Sequence, residues 1–375
     1  MKKLRILSII PVLTLVFLFA LPISAADTVT YNGYAYYTDM EDVADVLREA
    51  MANRTGQESS SYIQTVTIRY AVDQNTYTAA GSEIMTDIWS AAVSHTGVAA
   101  EGDYLRFLQS YVGTSASSSL TGGMVYMTIT WTITWNTTAE EEAAVREAVN
   151  AIMDNLALDS LDSEYEKVRA IYDYLTANIT YSSDETLHSH TAYAALVEGS
   201  AVCQGYALAF YQLALAAGLD ARIIDGTGIS SSGSGSHAWN IVQIDGAYYY
   251  LDATWDDTVS RNGYNDYIYF LVGSENTTFS ESHITASDNE SNNSSSTIVS
   301  TYNISEKDYT RIGADGGTSV ISGISSLSGI KNSLQKLQLY TVLQRLYTAI
   351  QNFLSFLWSK ISSWFTLLSI SSSLS

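Results

Sequence analysis

One cysteine in 375 residues leaves no partner for an intramolecular disulfide, so the stability of this chain must come from packing. Basic residues are also scarce: 18 Lys and Arg stand against 39 Asp and Glu, a formal net charge of −21. A surface of that sign disfavours nucleic acid as a partner. Charged residues of both signs make up only 15% of the chain and apolar ones 46%, which excludes wholesale disorder. The length suits two or three domains.

The first 26 residues stand apart. Lys2, Lys3 and Arg5 precede an apolar run from Ile6 to about Leu21, and Ser24-Ala25-Ala26 supplies small residues for a signal peptidase. The run is short for a membrane span. Residues 1–26 are therefore expected to be a signal peptide, and the protein to be secreted or at the cell surface. Without them, 15 basic residues against 39 acids leave −24.

Residues 27–157 are expected to form an α+β domain whose role the sequence does not reveal. Its elements are a helix over 40–52, a strand over 62–72, a helix over 82–94 and a strongly alternating strand over 124–135. Thr138 and Glu141 have capping-box spacing, which predicts a helix to about Leu156; Ser163 and Glu166 repeat the spacing before an apolar stripe of Val168, Ile171, Tyr172, Leu175 and Ile179. A further helix is predicted from about Val202 to Ala217, stopped at Gly218. Strands over 221–225, 237–244 and 247–252 follow, with a Gly/Ser-rich loop over 226–236.

Composition changes twice more. Residues 276–330 are rich in Ser and Asn and read as a linker or loosely folded extension. Beyond Gly316 there is no acidic residue, and 331–375 combines Lys331, Lys336, Arg345 and Lys360 with Phe353, Phe356, Trp358, Trp364 and Phe365. That pattern suits either an amphipathic helix at an anionic membrane surface, which would attach the chain to the envelope, or a helix that packs on another protein chain or on the protein's own domains.

The lone thiol lies where chemistry favours it. Cys203 falls in the first turn of its predicted helix, where the macrodipole and unpaired N–H groups support a thiolate and can receive an oxyanion. Asp245-Gly246 is a two-residue hairpin signal. With Ile244 opposite Ala247, Trp239 faces Asp252 and His237 faces Thr254. His237 and Asp252 then become diagonal neighbours on one face, roughly 5–8 Å apart at Cβ. A carboxylate there can orient the imidazole that takes the thiol proton.

The run Val202-Cys203-Gln204-Gly205-Tyr206-Ala207, with His237-Ala238-Trp239-Asn240 and Leu251-Asp252-Ala253-Thr254-Trp255, resembles the transglutaminase-like superfamily, particularly its bacterial secreted members. The likeness covers roughly 157–275 and includes Ile179-Thr180-Tyr181 and Tyr193-Ala194-Ala195-Leu196. Ser200-Ala201 stand where a basic residue is frequent in the family.

The resemblance implies an α+β, papain-like core, with the nucleophile's helix packed on an antiparallel sheet, over 158–275 and preceded by the smaller α+β domain. It implies a Cys203, His237, Asp252 triad acting on amide bonds by peptidase, amidase or transamidase chemistry; the expected signal peptide, the acidic mature chain and the single thiol suit a bacterial surface, where proteins, peptides and cell-wall peptide are the expected substrates. Gln204, Trp239, Tyr181 and Tyr193 are the candidate substrate contacts. The rival function is a catalytically silent envelope-binding module that keeps the fold. His188, His190 and Asp184 lack further ligands at metal spacing, and no metal or other cofactor is expected.

Overall fold

The computed structural model describes residues 27–259, 267–286 and 294–310. The signal peptide expected over 1–26 and the amphipathic helix expected over 331–375 lie outside the described residues.

The N-terminal elements are β1 (Thr28–Tyr31), β2 (Tyr34–Tyr37), α1 (Met40–Ala52), β3 (Ile63–Asp73), α2 (Gln74–Ala80), α3 (Glu83–Ala92), α4 (Asp103–Leu108), β4 (Gln109–Thr121) and β5 (Met124–Trp135). They form a five-stranded sheet in the order β1-β2-β3-β5-β4. β5 explains its own position. Val125, Met127, Ile129, Trp131, Ile133 and Trp135 are all buried, while the residues between them are half-buried, as a strand with one covered face requires. Apolar residues of α1 and α3, among them Leu47, Met51 and Ile88, join the same core. β4 was not anticipated; its run of Ser and Thr carries no apolar alternation, and only pairing with β5 makes it a strand.

Next come α5 (Ala139–Leu156), α6 (Glu164–Asn178), β6 (Thr180–Tyr181), β7 (Ser200–Ala201), α7 (Cys203–Ala216), β8 (Ala221–Ser230), β9 (Gly233–Ile244), β10 (Ala247–Leu251), α8 (Ala253–Val259), α9 (Thr277–Ser282), β11 (His283–Thr285) and α10 (Ser295–Thr301). Thr138 and Glu141 cap α5 reciprocally, and Ser163 accepts from the Glu166 amide to start α6. A second sheet runs β10-β9-β8-β11, antiparallel throughout. α7 packs on β8 and β9 and is buried almost all round, from Gly205 to Leu215. The fold is thus the expected α+β arrangement, with the helix that opens at Cys203 lying on an antiparallel sheet.

Two expectations need correction. The stretch 226–236 is not a loop: β8 and β9 continue through it in register from Ala221↔Val242 to Ser230↔Gly233. Nor are the described parts of 276–330 a linker. β11 adds the fourth strand by pairing with β8, and Phe279 and Ile298 are buried against Trp239 and Ile241. Polar composition hid both segments, because their order comes from strand pairing and a few apolar anchors.

No boundary at 157 divides the core. A single buried cluster runs from Val43 through Trp131, Ile171 and Phe210 to Leu251. The junction is also polar and specific. The Arg222 guanidinium meets Asp103 in a two-pronged pair at 2.8 and 2.9 Å, and Asp103 accepts the Ile223 amide as well. Burial opposes the Asp103 charge, yet these partners hold its carboxyl below the ordinary value.

Candidate active site

The thiol is positioned by a tight helix start. Cys203 is the first residue of α7, and Val202 before it is extended and donates its N–H to Ser189 O at 3.0 Å. Gly205 makes the approach feasible: a Cβ there would lie 2.6 Å from Ala201 Cβ and 3.0 Å from Thr191 O. The first amides of a helix have no intrahelical acceptor, so those of Cys203 and Gln204 open the positive end of α7 beside the sulfur. Cys203 itself is half-buried.

His237 and Asp252 come from the hairpin. Asp245 and Gly246 both have positive φ, 52° and 84°, as a two-residue primed turn demands, and Ile244 pairs with Ala247 as the register argument requires. One detail differs. β10 ends at Leu251, so Thr254 lies in α8 and does not face His237. Asp252 follows the strand and caps that helix, its Oδ1 accepting from the amides of Thr254 at 2.9 Å and Trp255 at 3.2 Å.

The remaining oxygen, Oδ2, lies 2.6 Å from Nε2 of His237. That bond leaves Nδ1 as the ring nitrogen not engaged by Asp252, and Cys203 lies near enough to the ring to act on its charge. Burial works against a charged imidazole, but the Asp252 charge and hydrogen bond outweigh it, with Cys203 adding to them, and His237 is lifted to about 10. Asp252 is fully buried too. Burial alone would push its carboxyl up, whereas two imidazoles hold it well below the usual carboxylate range. Under these conditions His237 holds its proton at neutral pH and can act as an acid.

The second imidazole belongs to His283, which no sequence motif pointed to. Its Nε2 lies 3.0 Å from the same Oδ2. His237, Asp252 and His283 also form a group whose nitrogen and oxygen atoms lie within 4.8 Å of one another, the kind of set that can hold a metal ion. Here the atoms are already paired through direct hydrogen bonds. Elsewhere, His188 pairs with Glu198 at 2.8 Å and His190 with Thr186 O at 2.9 Å.

The four candidate substrate contacts separate. Tyr181 is exposed and close enough to Cys203 and Asp252 for their charges to raise its phenol, after burial, above the ordinary value. β6 and β7 hold it there by pairing Tyr181 with Ala201. Gln204 instead directs its amide to Phe107 O at 2.8 Å, tying α7 to the N-terminal elements. Trp239 and Tyr193 are buried, at 1% and 3% exposure, and offer no open face to a substrate. Aromatic residues of strands are more often core than lining, which is where these two lie. Trp255, half-buried, sets its ring 5.1 Å from that of His237.

Residues 137–253, which contain Cys203, His237 and Asp252, match the model of the transglutaminase-like superfamily. The chain is 29% identical to the kyphoscoliosis peptidase of Mus musculus over 150 residues, 35% of this chain and 22% of that protein. For the kyphoscoliosis peptidase of Homo sapiens the identity is 29% over 142 residues, 32% of this chain and 21% of that one. The chain thus spans about a fifth of the length of these curated relatives. Among solved structures it is similar to a TGase, with TM-score 0.26 and 16% identity over 50% of this chain and 51% of that one. The periplasmic domain of TgpA from Pseudomonas aeruginosa gives TM-score 0.23 and 15% identity over 39% and 63%.

Proposed function

We propose that the transglutaminase-like domain of this chain is a thiol-dependent enzyme that cleaves or transfers amide bonds of proteins or peptides, with Cys203 as nucleophile, His237 as acid and base, and Asp252 as orienter. The observation that carries this reading is the 2.6 Å bond between His237 Nε2 and a buried Asp252, on a ring that the only thiol lies near enough to influence.

In the first half-reaction the Cys203 thiolate attacks the amide carbonyl, and the oxyanion meets the N–H groups that open α7. The C–N bond then breaks as His237 Nδ1 gives its proton to the leaving amine, forming an acyl-thioester. Water or a second amine, deprotonated by His237, attacks that thioester and releases Cys203. Peptide hydrolysis is the outcome we favour, because the curated relatives are named peptidases. Export through residues 1–26, and action on surface or wall peptides, complete the proposal.

Alkylation tests it without a known substrate. Iodoacetamide should label Cys203 much faster than a free thiol near neutral pH, and His237→Ala should slow it at least tenfold. Equally slow labelling of both proteins would favour a catalytically silent binding module. Mass spectrometry of an acyl-enzyme trapped from a peptide pool would then identify the donor.

A further inference from the structure

We infer that His283 is a positioning residue of this site, holding Asp252 in the orientation in which it serves His237; the inference rests on the triad proposed above. Both imidazoles reach the same carboxylate oxygen, His237 at 2.6 Å and His283 at 3.0 Å. An ionised carboxylate only accepts, so Nε2 of His283 must carry a proton and donate it. With Oδ1 taking two backbone amides, Asp252 has four donors and no freedom to rotate.

Strand pairing brings the two rings together. On one side of β8 Gly226 pairs with His237, and on the other Gly228 pairs with His283. Facing partners share a face, and residues two apart on a strand do as well, so both imidazoles project to the same side. Gly228 leaves the space between them. A Cβ there would lie 3.0 Å from the Trp255 ring and 3.1 Å from Cβ and Cγ of His237. The ring centroids of the two histidines are 5.4 Å apart.

His283 is itself held on every side. Phe279 stacks on it at 4.1 Å with an interplanar angle of 6°, and Trp255, Trp239 and Tyr269 stand at 4.6, 5.0 and 5.3 Å. Its Nδ1 lies 2.8 Å from Ser282 Oγ, which also reaches Thr278 O at 2.6 Å. That hydroxyl can donate to the ring or accept from it, so Nε2 keeps its proton toward Asp252 either way. The His283 side chain has no solvent exposure and cannot touch substrate. Its effect therefore reaches the thiol only through Asp252 and His237.

The ionisable groups around the pair are Cys203, Asp252, Tyr269 and Tyr181, with Asp256 beyond Asp252. Removing the His283 donor lets the carboxylate turn, weakens the imidazolium and drives the thiolate limb of the alkylation profile upward. One pH unit of that movement is a tenfold slower reaction below the limb.

The test is the pH dependence of Cys203 alkylation by iodoacetamide in the full chain. His283→Phe, which keeps a flat ring in the aromatic box, should move the limb up by about one unit. His283→Gln, which retains an amide donor near the Nε2 position, should restore it. An unmoved profile in His283→Phe, with wild type fast and His237→Ala slow, overturns the role of His283 and leaves the triad standing. A wild type as slow as His237→Ala sinks the triad itself. The unmutated protein gives a second measurement should His283→Phe not fold. In a spectrum of 15N-labelled histidine, Nε2 of His283 is expected to be protonated and hydrogen-bonded, and an unprotonated Nε2 overturns the inference outright.

Discussion

Along β5, burial alternates strictly, with six apolar residues covered and Tyr126, Thr128, Thr130, Thr132 and Thr134 half-buried between them. Along β9, six successive residues from His237 to Val242 are buried. The two strands are of equal length and belong to sheets that share one core, so the difference lies in what covers them. α7 lies on one face of the second sheet, while Phe279 of α9 and Ile298 of α10 close the other around Trp239 and Ile241. A strand with an open face offers solvent-screened positions where Thr suffices. A strand covered on both faces offers a low-dielectric setting, in which a charge must be paired and each pairing acts strongly. The His237–Asp252 pair is of the second kind, and so is the Arg222–Asp103 pair at the junction.

The comparison can be broken first at the His237–Asp252 pair, on the proposed catalytic reading. Asp252→Asn should lower turnover of a trapped donor peptide by about 10³–10⁴-fold, measured at substrate saturation, since the ring loses both its orienter and its charge partner. The His237 side of the pair carries a sign in pH. His237 is raised in the folded state, so its contribution to stability is complete below its unfolded value of about 6.5 and is lost as pH rises through about 10. Chemical unfolding of wild type and His237→Gln should therefore differ most below about pH 6.5 and converge above about 10.

At the junction, Arg222→Met leaves Asp103 buried without its guanidinium. A loss of about 3–5 kcal/mol is expected in denaturant titration, and replacing both partners by apolar residues should recover most of it. Gly228→Ala probes the tight centre of the second sheet. The added Cβ presses on Trp255 and His237, and a loss of about 1–3 kcal/mol is expected, with slower Cys203 alkylation. Thr138→Ala removes the capping box of α5 and should lower stability by about 1 kcal/mol. Smallest is Thr130→Val on the half-open face of β5, expected to stay within about 0.5 kcal/mol. A loss comparable to that of Gly228→Ala would show that the first sheet is also covered in solution.

Local signals were legible wherever the physics is local. The capping box at Thr138, the alternation of β5, the primed turn at Asp245-Gly246 and the register from Ile244 and Ala247 depend on neighbours in the chain. That register was enough to bring His237 and Asp252 together. Three features were not legible. β4 is rich in Ser and Thr and the strand halves over 226–236 in Gly and Ser, and their order comes from a partner strand rather than from their own pattern. Trp239 read equally well as cleft or core and Tyr193 more readily as core, and packing buried both. His283 sits in a polar stretch, and its place depends on β11 crossing to β8, some 55 residues upstream.

The amino-acid order by itself therefore determined the chemistry on offer: a single thiol at a helix start, and an imidazole and a carboxylate in register across a hairpin. Tertiary structure alone decided how those groups are surrounded. It closed both faces of the second sheet, brought a second imidazole to the Asp252 oxygen and took Gln204 away to Phe107. The reason is physical. Hydrogen-bond register is set between near neighbours, whereas burial and the strength of a charge depend on every segment that packs nearby, however distant in the chain.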